Sequence, residues 1–416
     1  MKTAPSLKSA AARSSFRRVL LLVVAVVALL LTTSCMVMSP SKAPSDLHTL
    51  RGSAAAEKLP SAIQSAQTVQ AKEAPVTSVL HPRTVVLPSF TGGHRAEIGP
   101  ESRVANVKDT IVESTDFFPQ RGQPQRGLHW RLQNRAVLSN TTNKDDGSLL
   151  LVVALKNHES WGLQRSSTNL FELLATFTYP KAKISLTMLV SDMTEFQTVQ
   201  KNMFLRISEY AQFSLLFRSD LDASANVTRE TRHALGAHRE RRRMLARYRN
   251  FALLSTLQTG HQHVVWLDAD VEQVPPHLLT KMTTSGLDIV EPVCYRGRYE
   301  YDHNAWVGTR TKPDADQRDR SGFVPAGLRD RHMKTYRGAR EDFIPLDSVG
   351  GTMLYVNADV HRQGVLFTHH YVIGSEWDQE GYDGIETEGL CYSAHFLGYR
   401  CWGMAHDADA IRYVMQ

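Results

Sequence analysis

Two patterns of apolar residues alternate along the chain. GSLLLVVALKN (147–157), KISLTMLVSD (183–192) and His263 to Leu267 (HVVWL) hold short, nearly unbroken apolar runs. A strand covered on both faces reads this way, whereas a half-exposed strand alternates. Between these runs the apolar residues return every three or four positions, the helical period. That period predicts helices over Ser167 to Thr178, with Thr168 or Asn169 as cap, around Glu195 to Tyr210, and from about Thr231 to Gln258, where Gly260 stops the last. AQFSLLFRSD (211–220) and DIVEPVCY (288–295) add strands, and DSVGGTMLYVNADVHR (347–362) joins a glycine pair to another. DGIETEGLCYSAHFLGY (383–399) reads as a helix with Leu390, Ala394 and Leu397 on its apolar stripe and Gly398 at its end. Strands separated by helices imply an α/β class with a mostly parallel sheet covered on both faces. Such sheets bind ligands outside the carboxyl ends of their strands. Asp192, Asp268 and Asp270 all fall at predicted strand ends.

The first part of the chain has neither pattern. Val19 to Met38 is twenty residues without a formal charge, long enough as a helix to cross about 30 Å of hydrocarbon. Lys2, Lys8, Arg13, Arg17 and Arg18 precede it, which orients the N-terminus to the cytosol. A cleaved signal peptide is the alternative, with a usually shorter apolar run. Residues 39–145 are rich in Ala, Ser, Thr, Pro and Gln and read as a flexible stem, its later half apolar enough to pack onto the adjoining domain. The division expected is a cytosolic tail (1–18), a transmembrane signal anchor (19–38), a stem (39–145) and a catalytic domain (146–416).

Composition changes this picture little. The 416 residues are 42% hydrophobic with a net charge of +6. The excess sits ahead of the apolar run, so no nucleic-acid surface is implied. Four cysteines include three beyond that run, Cys294, Cys391 and Cys401, an odd number with no zinc spacing. Asn140-Thr141-Thr142 and Asn226-Val227-Thr228 are glycan acceptors if the chain enters a secretory lumen.

Chemistry concentrates at the strand ends. Asp268 and Asp270, one residue apart after an apolar strand, suit an oxygen-seeking cation such as Mn²⁺ or Mg²⁺, with positions left for a diphosphate. Asp270 or Glu272 capping a helix near Pro275 is the other reading. In the helix before that strand, Arg239, Arg243 and Arg247 recur at four-residue spacing as a solvated basic stripe. Arg249 and Asn250 stand apart from the stripe, about twenty residues before Asp268 on the helix that feeds its strand. Gly350 and Gly351 allow close backbone approach to a ligand, or a simple turn. Glu386 and Glu388 begin a helix, where capping and a role over the sugar both fit.

FELLATFTYPKAKISLTMLVSD, RRRMLARYRNFALLSTLQTGHQHVVWLDADV, YDHNAW, VGGTMLYVNADVHR and IETEGL together resemble the Anp1/Mnn9/Van1 family of fungal Golgi mannosyltransferases, over roughly Gly147 to Tyr413. The resemblance implies the GT-A glycosyltransferase fold, GDP-mannose as donor and Mn²⁺ (or Mg²⁺) at Asp268 and Asp270. It implies a single-pass type II Golgi membrane protein that elongates α-mannose on N-glycans with retention, beside other transferase subunits. It places nucleotide and donor contacts at Asp192, Arg249, Asn250, Gly350 and Gly351, and catalytic roles at Asp302, Glu386 and Glu388. His406 is the candidate third metal ligand, with Tyr413 as the other occupant of that place. Ala305 replaces an expected serine, and 308–342 is expected to form a loop over the site. A non-catalytic subunit, or a transferase of a UDP-sugar, are the alternative functions.

Overall fold

The computed structural model describes residues 103–108, 110–140, 147–221, 235–309, 312, 331–377 and 380–414. All belong to one compact unit, Thr91–Gln416. The cytosolic tail, the predicted anchor at 19–38 and most of the loop expected at 308–342 lie outside the described residues. Among the described residues no helix is long and apolar enough to cross a membrane.

The strands in chain order are β1 (Arg103–Lys108), β2 (Ile111–Phe118), β3 (Gly127–Asn134), β4 (Leu149–Leu155), β5 (Ile184–Val190), β6 (Gln212–Phe217), β7 (His263–Leu267), β8 (Val271–Gln273), β9 (Ile289–Pro292), β10 (Cys294–Arg296), β11 (Tyr299–Glu300), β12 (Trp306–Val307), β13 (Arg331–His332), β14 (Ile344–Leu346), β15 (Met353–Asn357), β16 (Cys401–Met404) and β17 (Ile411–Tyr413). The helices are α1 (Arg135–Leu138), α2 (Ser167–Ala175), α3 (Met193–Phe204), α4 (Leu235–Thr256), α5 (Leu278–Thr283), α6 (Ala358–Arg362) and α7 (Thr387–Phe396).

An eleven-stranded mixed sheet runs in the order β1-β2-β3-β6-β5-β4-β7-β15-β9-β16-β14. Its centre, β6-β5-β4-β7, is parallel. The continuous apolar runs are explained by two cores, one per face. Leu149, Leu151 and Val153 of β4 join Phe171 and Leu174 of α2 and Phe196 and Val199 of α3. Leu150 and Val152, their neighbours on the other side of the pleat, join Ala252 and Leu253 of α4 and Leu390 of α7. Each strand residue is therefore buried whichever way it points. β15 enters antiparallel between β7 and β9. A small second sheet, β11-β10-β17-β8, brings the C-terminal strand against the residues just after Asp270.

Several expectations are corrected. The sheet begins inside the stretch read as stem: β3 pairs antiparallel with β6, and β2 with β3. Trp130 and Leu132 are buried in the first core, so an apolar edge at β6 is covered by residues N-terminal to 146. The cap of α2 is Ser166, whose hydroxyl accepts from the Thr168 amide while Asn169 accepts from the Ser166 amide, a reciprocal capping box. The second predicted helix ends at Phe204, and residues 207–209 form a separate tight turn.

Candidate active site

β4, β5 and β7 end at the same rim because they are parallel. Asp268 comes directly after β7, its amide donating to the Thr352 carbonyl at 2.9 Å, so the ladder with β15 carries it to a fixed position. The two aspartates then diverge. Asp268 keeps 37% of its side chain exposed. Asp270 is buried, and the phenol of Tyr413 donates to its Oδ2. Tyr413 is itself stacked on Tyr301 with ring centroids 3.8 Å apart. The carboxyl of Asp268 is pushed up to about 7, first by desolvation, with Arg249 and Arg241 opposing and Asp270 and Asp302 adding to the rise. The carboxylates of Asp268, Asp270 and Asp302 are crowded together, and Arg249 and Arg241 offset them only in part. An oxygen-preferring divalent cation fits that donor set.

α4 supplies the counter-charges. Arg249 Nη1 donates to Glu386 Oε1 at 2.8 Å, and Nη2 reaches Asp268 Oδ1 at 3.1 Å and the Gly351 carbonyl at 3.0 Å. Its guanidinium lies 5.2 Å from the Phe367 ring centroid. Arg242, two helical turns earlier and on the same face, pairs with Glu386 Oε2 at 3.3 Å and Glu388 Oε2 at 3.1 Å, and donates to the Ile385 carbonyl at 2.6 Å. Arg242, Arg249, Glu386 and Glu388 are all buried. Glu386 holds a left-handed backbone at φ +62° without being glycine, which places backbone strain at the head of α7.

The residues named from sequence therefore separate. Glu386 and Glu388 meet Arg242, and Glu386 has both oxygens in ion pairs; they act as buried counter-ions, and Glu386 at the head of α7 does not cap it through its side chain. Asp302, expected in a catalytic role, clamps the glycine turn: its Oδ2 accepts from the amides of Gly351 (2.8 Å) and Thr352 (3.2 Å) and from the Thr352 hydroxyl (3.0 Å). The glycine pair is explained by this packing. A Cβ on Gly350 would stand 1.9 Å from the Asp302 carboxylate, and one on Gly351 2.5 Å from Arg249 Nη1. Asn250 has both ends of its amide on the backbone of Phe367, at 2.7 and 3.0 Å, and holds the segment that backs Arg249 rather than a phosphate. Asp192 caps α3 by accepting from the Glu195 amide at 2.8 Å.

His406 is directed elsewhere. Its Nε2 meets the Ala339 carbonyl at 3.0 Å and its Nδ1 faces Asp342 at 3.7 Å, so the C-terminal side chain that reaches Asp270 is Tyr413. Among the described residues, the group of three potential ligands that converges is Cys391, His395 and Cys401, where the two sulfurs are joined in a disulfide. Cys294 is a buried free thiol. Arg242 was missed because the four-residue spacing of Arg239, Arg243 and Arg247 drew attention to another face. Its seven-residue interval from Arg249 was the available signal.

This geometry meets a matching family. The Anp1 family model aligns with residues 129–370. The chain belongs to the Anp1 family. The resemblance read from the strand-end motifs is thereby met, and with it the expectation of a glycosyltransferase family. The mannan polymerase complex subunit mnn9 of Schizosaccharomyces pombe is 28% identical over 288 residues, covering 64% of this chain and 79% of that protein. The mannan polymerase II complex ANP1 subunit of Saccharomyces cerevisiae is 27% identical over 220 residues, 47% of this chain and 44% of that protein. Several other curated relatives are spanned over roughly half their length. Among solved structures, the mannosyltransferase PcManGT from Pyrobaculum calidifontis in complex with GDP-Man and Mn²⁺ aligns with a TM-score of 0.38 at 11% identity, over 65% of this chain and 57% of that one.

Proposed function

We propose that this Anp1-family chain is a metal-dependent, retaining α-mannosyltransferase of the GT-A type that takes GDP-mannose and works within a mannan polymerase-type complex. The observation that carries the reading is the carboxylate-rich end of β7: Asp268 partly exposed, Asp270 fixed by Tyr413, and Arg249 in contact with Asp268. Asp268 and Asp270 would hold Mn²⁺ or Mg²⁺, which when bound supplies Lewis-acid stabilisation of a departing nucleoside diphosphate. Asp302 and Glu291 keep the Gly350–Thr352 turn beside Asp268, Glu291 by accepting from the Gly350 amide at 2.6 Å. Arg249 neutralises Asp268 and fixes its direction. Glu386 is fully ion-paired, which favours a reaction without an enzyme nucleophile. The anchor at 19–38 would hold the domain on the lumenal side of a Golgi membrane, where the glycan acceptor lies.

A second reading is supported by two observations: the matched relatives are named as complex subunits, and His406 does not complete a ligand triad. In it the chain binds nucleotide weakly at most and assembles a partner transferase. Calorimetric titration of the detergent-solubilised full-length protein with GDP and UDP, with and without Mn²⁺, separates the readings. Mn²⁺-dependent GDP binding that is lost in Asp270→Ala is the expected result. A preference for UDP overturns the donor, and no nucleotide binding moves the function to the assembly role.

A further inference from the structure

Arg249, the arginine that the sequence marks for phosphate, has its guanidinium committed to Glu386, Asp268 and the Gly351 carbonyl. A diphosphate arriving at Asp268 and Asp270 brings more negative charge than one cation and that arginine balance. Arg241 of α4 also acts on Asp268, and a further guanidinium without a carboxylate of its own would serve the Asp270 side.

The loop between β4 and α2 supplies it. That loop is pinned at three points. Trp161 Nε1 donates to Glu195 Oε1 of α3 at 2.7 Å. Gly162, at φ +93°, lies so close to the C-terminal segment that a Cβ would stand 2.8 Å from Val414 Cγ1. Arg165 Nη2 donates to the carbonyl of Val271 at 2.8 Å, the residue directly after Asp270. The turn that delivers it passes through Gln164 at φ +56°, a conformation that costs a non-glycine residue. Arg165 is half-buried, its Nε is buried without a partner, and it makes no ion pair among the described residues. Other buried arginines here behave differently, since Arg242 and Arg249 each meet two carboxylates. A half-buried guanidinium without an ion pair among the described residues, fixed to the carbonyl of the residue after Asp270, is free to take up an anionic ligand there.

We propose that Arg165 is a donor-binding residue that holds phosphate oxygens of the nucleotide diphosphate, with its bond to Val271 fixing the fork relative to Asp270. The proposal rests on the nucleotide-sugar reading above, yet it depends on the phosphates and not on the base. Its test uses the full-length protein and the variants Arg165→Met and Arg165→Lys. Mn²⁺ alone is followed by electron paramagnetic resonance, GDP and UDP with Mn²⁺ by calorimetry, and folding by thermal unfolding.

Arg165→Met is expected to bind Mn²⁺ as wild type and melt with it, while its affinity for the nucleotide that wild type prefers falls ~10–100-fold. Arg165→Lys, which keeps the charge and loses the fork, should fall between. Wild-type nucleotide affinity in Arg165→Met overturns the proposal and leaves the donor reading standing. So does a loss of Mn²⁺ and nucleotide in step, because Arg165 would then act only on the backbone after Asp270. If wild type prefers UDP, the mannose donor fails and the same comparison with UDP still decides Arg165. Binding of neither nucleotide overturns both.

Discussion

The paired aspartates do different work, and the difference lies in single contacts. Asp268 spends one oxygen on Arg249 and faces the open rim. Asp270 is buried and takes its direction from the Tyr413 hydroxyl. A hydrogen bond to a ligating carboxylate orients it and tunes its basicity, and losing such a partner typically costs 10–100-fold in metal affinity. Tyr413→Phe keeps the ring against Tyr301 and removes only the donor. Its expected effect is a ~10-fold weaker Mn²⁺ affinity with the unfolding temperature little changed. His406→Ala is the companion variant, and Mn²⁺ titration by paramagnetic resonance should find it equal to wild type. A larger loss in His406→Ala than in Tyr413→Phe would restore the histidine and remove the tyrosine. The sequence pointed to this place in the chain without choosing between the two side chains. Choosing needs β17 to be paired with β8, a contact between segments far apart in sequence.

Elements fixed by long apolar runs were readable in advance, and elements fixed by contacts were not. β4, β5 and β7 stood out because burial on both faces leaves an unbroken run. Strands such as β8, β10 and β17 are three residues long and carry no periodicity of their own. The face of α4 was misjudged for the same reason: spacing ranks faces by composition, and the buried arginines face Glu386 and Glu388, which only the fold brings near. The docking of α6 gives a case with a measurable consequence. His361 on α6 is buried, with Nδ1 at 2.7 Å from the Val365 carbonyl and Nε2 accepting from Trp266 Nε1 of β7 at 3.3 Å. A neutral ring satisfies both bonds, and a protonated one places an N–H against the Trp266 N–H. Burial accordingly lowers its pKa from 6.5 to about 4, with the Val365 carbonyl opposing. The unfolded chain thus binds a proton more readily between those values. Stability is fully present above pH 6.5 and is lost as pH falls toward 4, by roughly 1–3 kcal/mol for this group. Denaturant unfolding at pH 7.5 and pH 5 should show His361→Gln less stable than wild type at the higher pH and less sensitive to the change. Equal pH sensitivity in the two proteins would place the acid response elsewhere.

The boundary of the folded unit is a property of the whole sheet. Composition placed the start of the domain at 146, because Ala, Ser, Pro and Gln fill the chain before it and the return of apolar residues near 111–134 is short. The fold places β2 and β3 on the outer side of β6, with β6, β5 and β4 between β3 and the carboxylate-bearing end of β7. These strands close an edge. β3 pairs with β6 from Leu128 opposite Phe217 to Gln133 opposite Gln212. Removing it would leave the backbone groups of β6 unpaired and would take Trp130 and Leu132 from a core that also holds Phe213 and Leu215. Fully buried side chains of that size are worth roughly 1.5–3 kcal/mol each, before the edge itself is counted. Total stability is about 5–15 kcal/mol for an ordinary domain, so the loss is a large share of it. An unpaired apolar edge also templates association. A fragment of residues 147–416 is therefore expected to elute as aggregate in size-exclusion chromatography. A fragment of residues 103–416 should elute as a folded species with a cooperative unfolding transition. If the shorter fragment were monomeric and melted at the same temperature, β2 and β3 would be a dispensable extension, and the sheet's own boundary would lie where composition first put it.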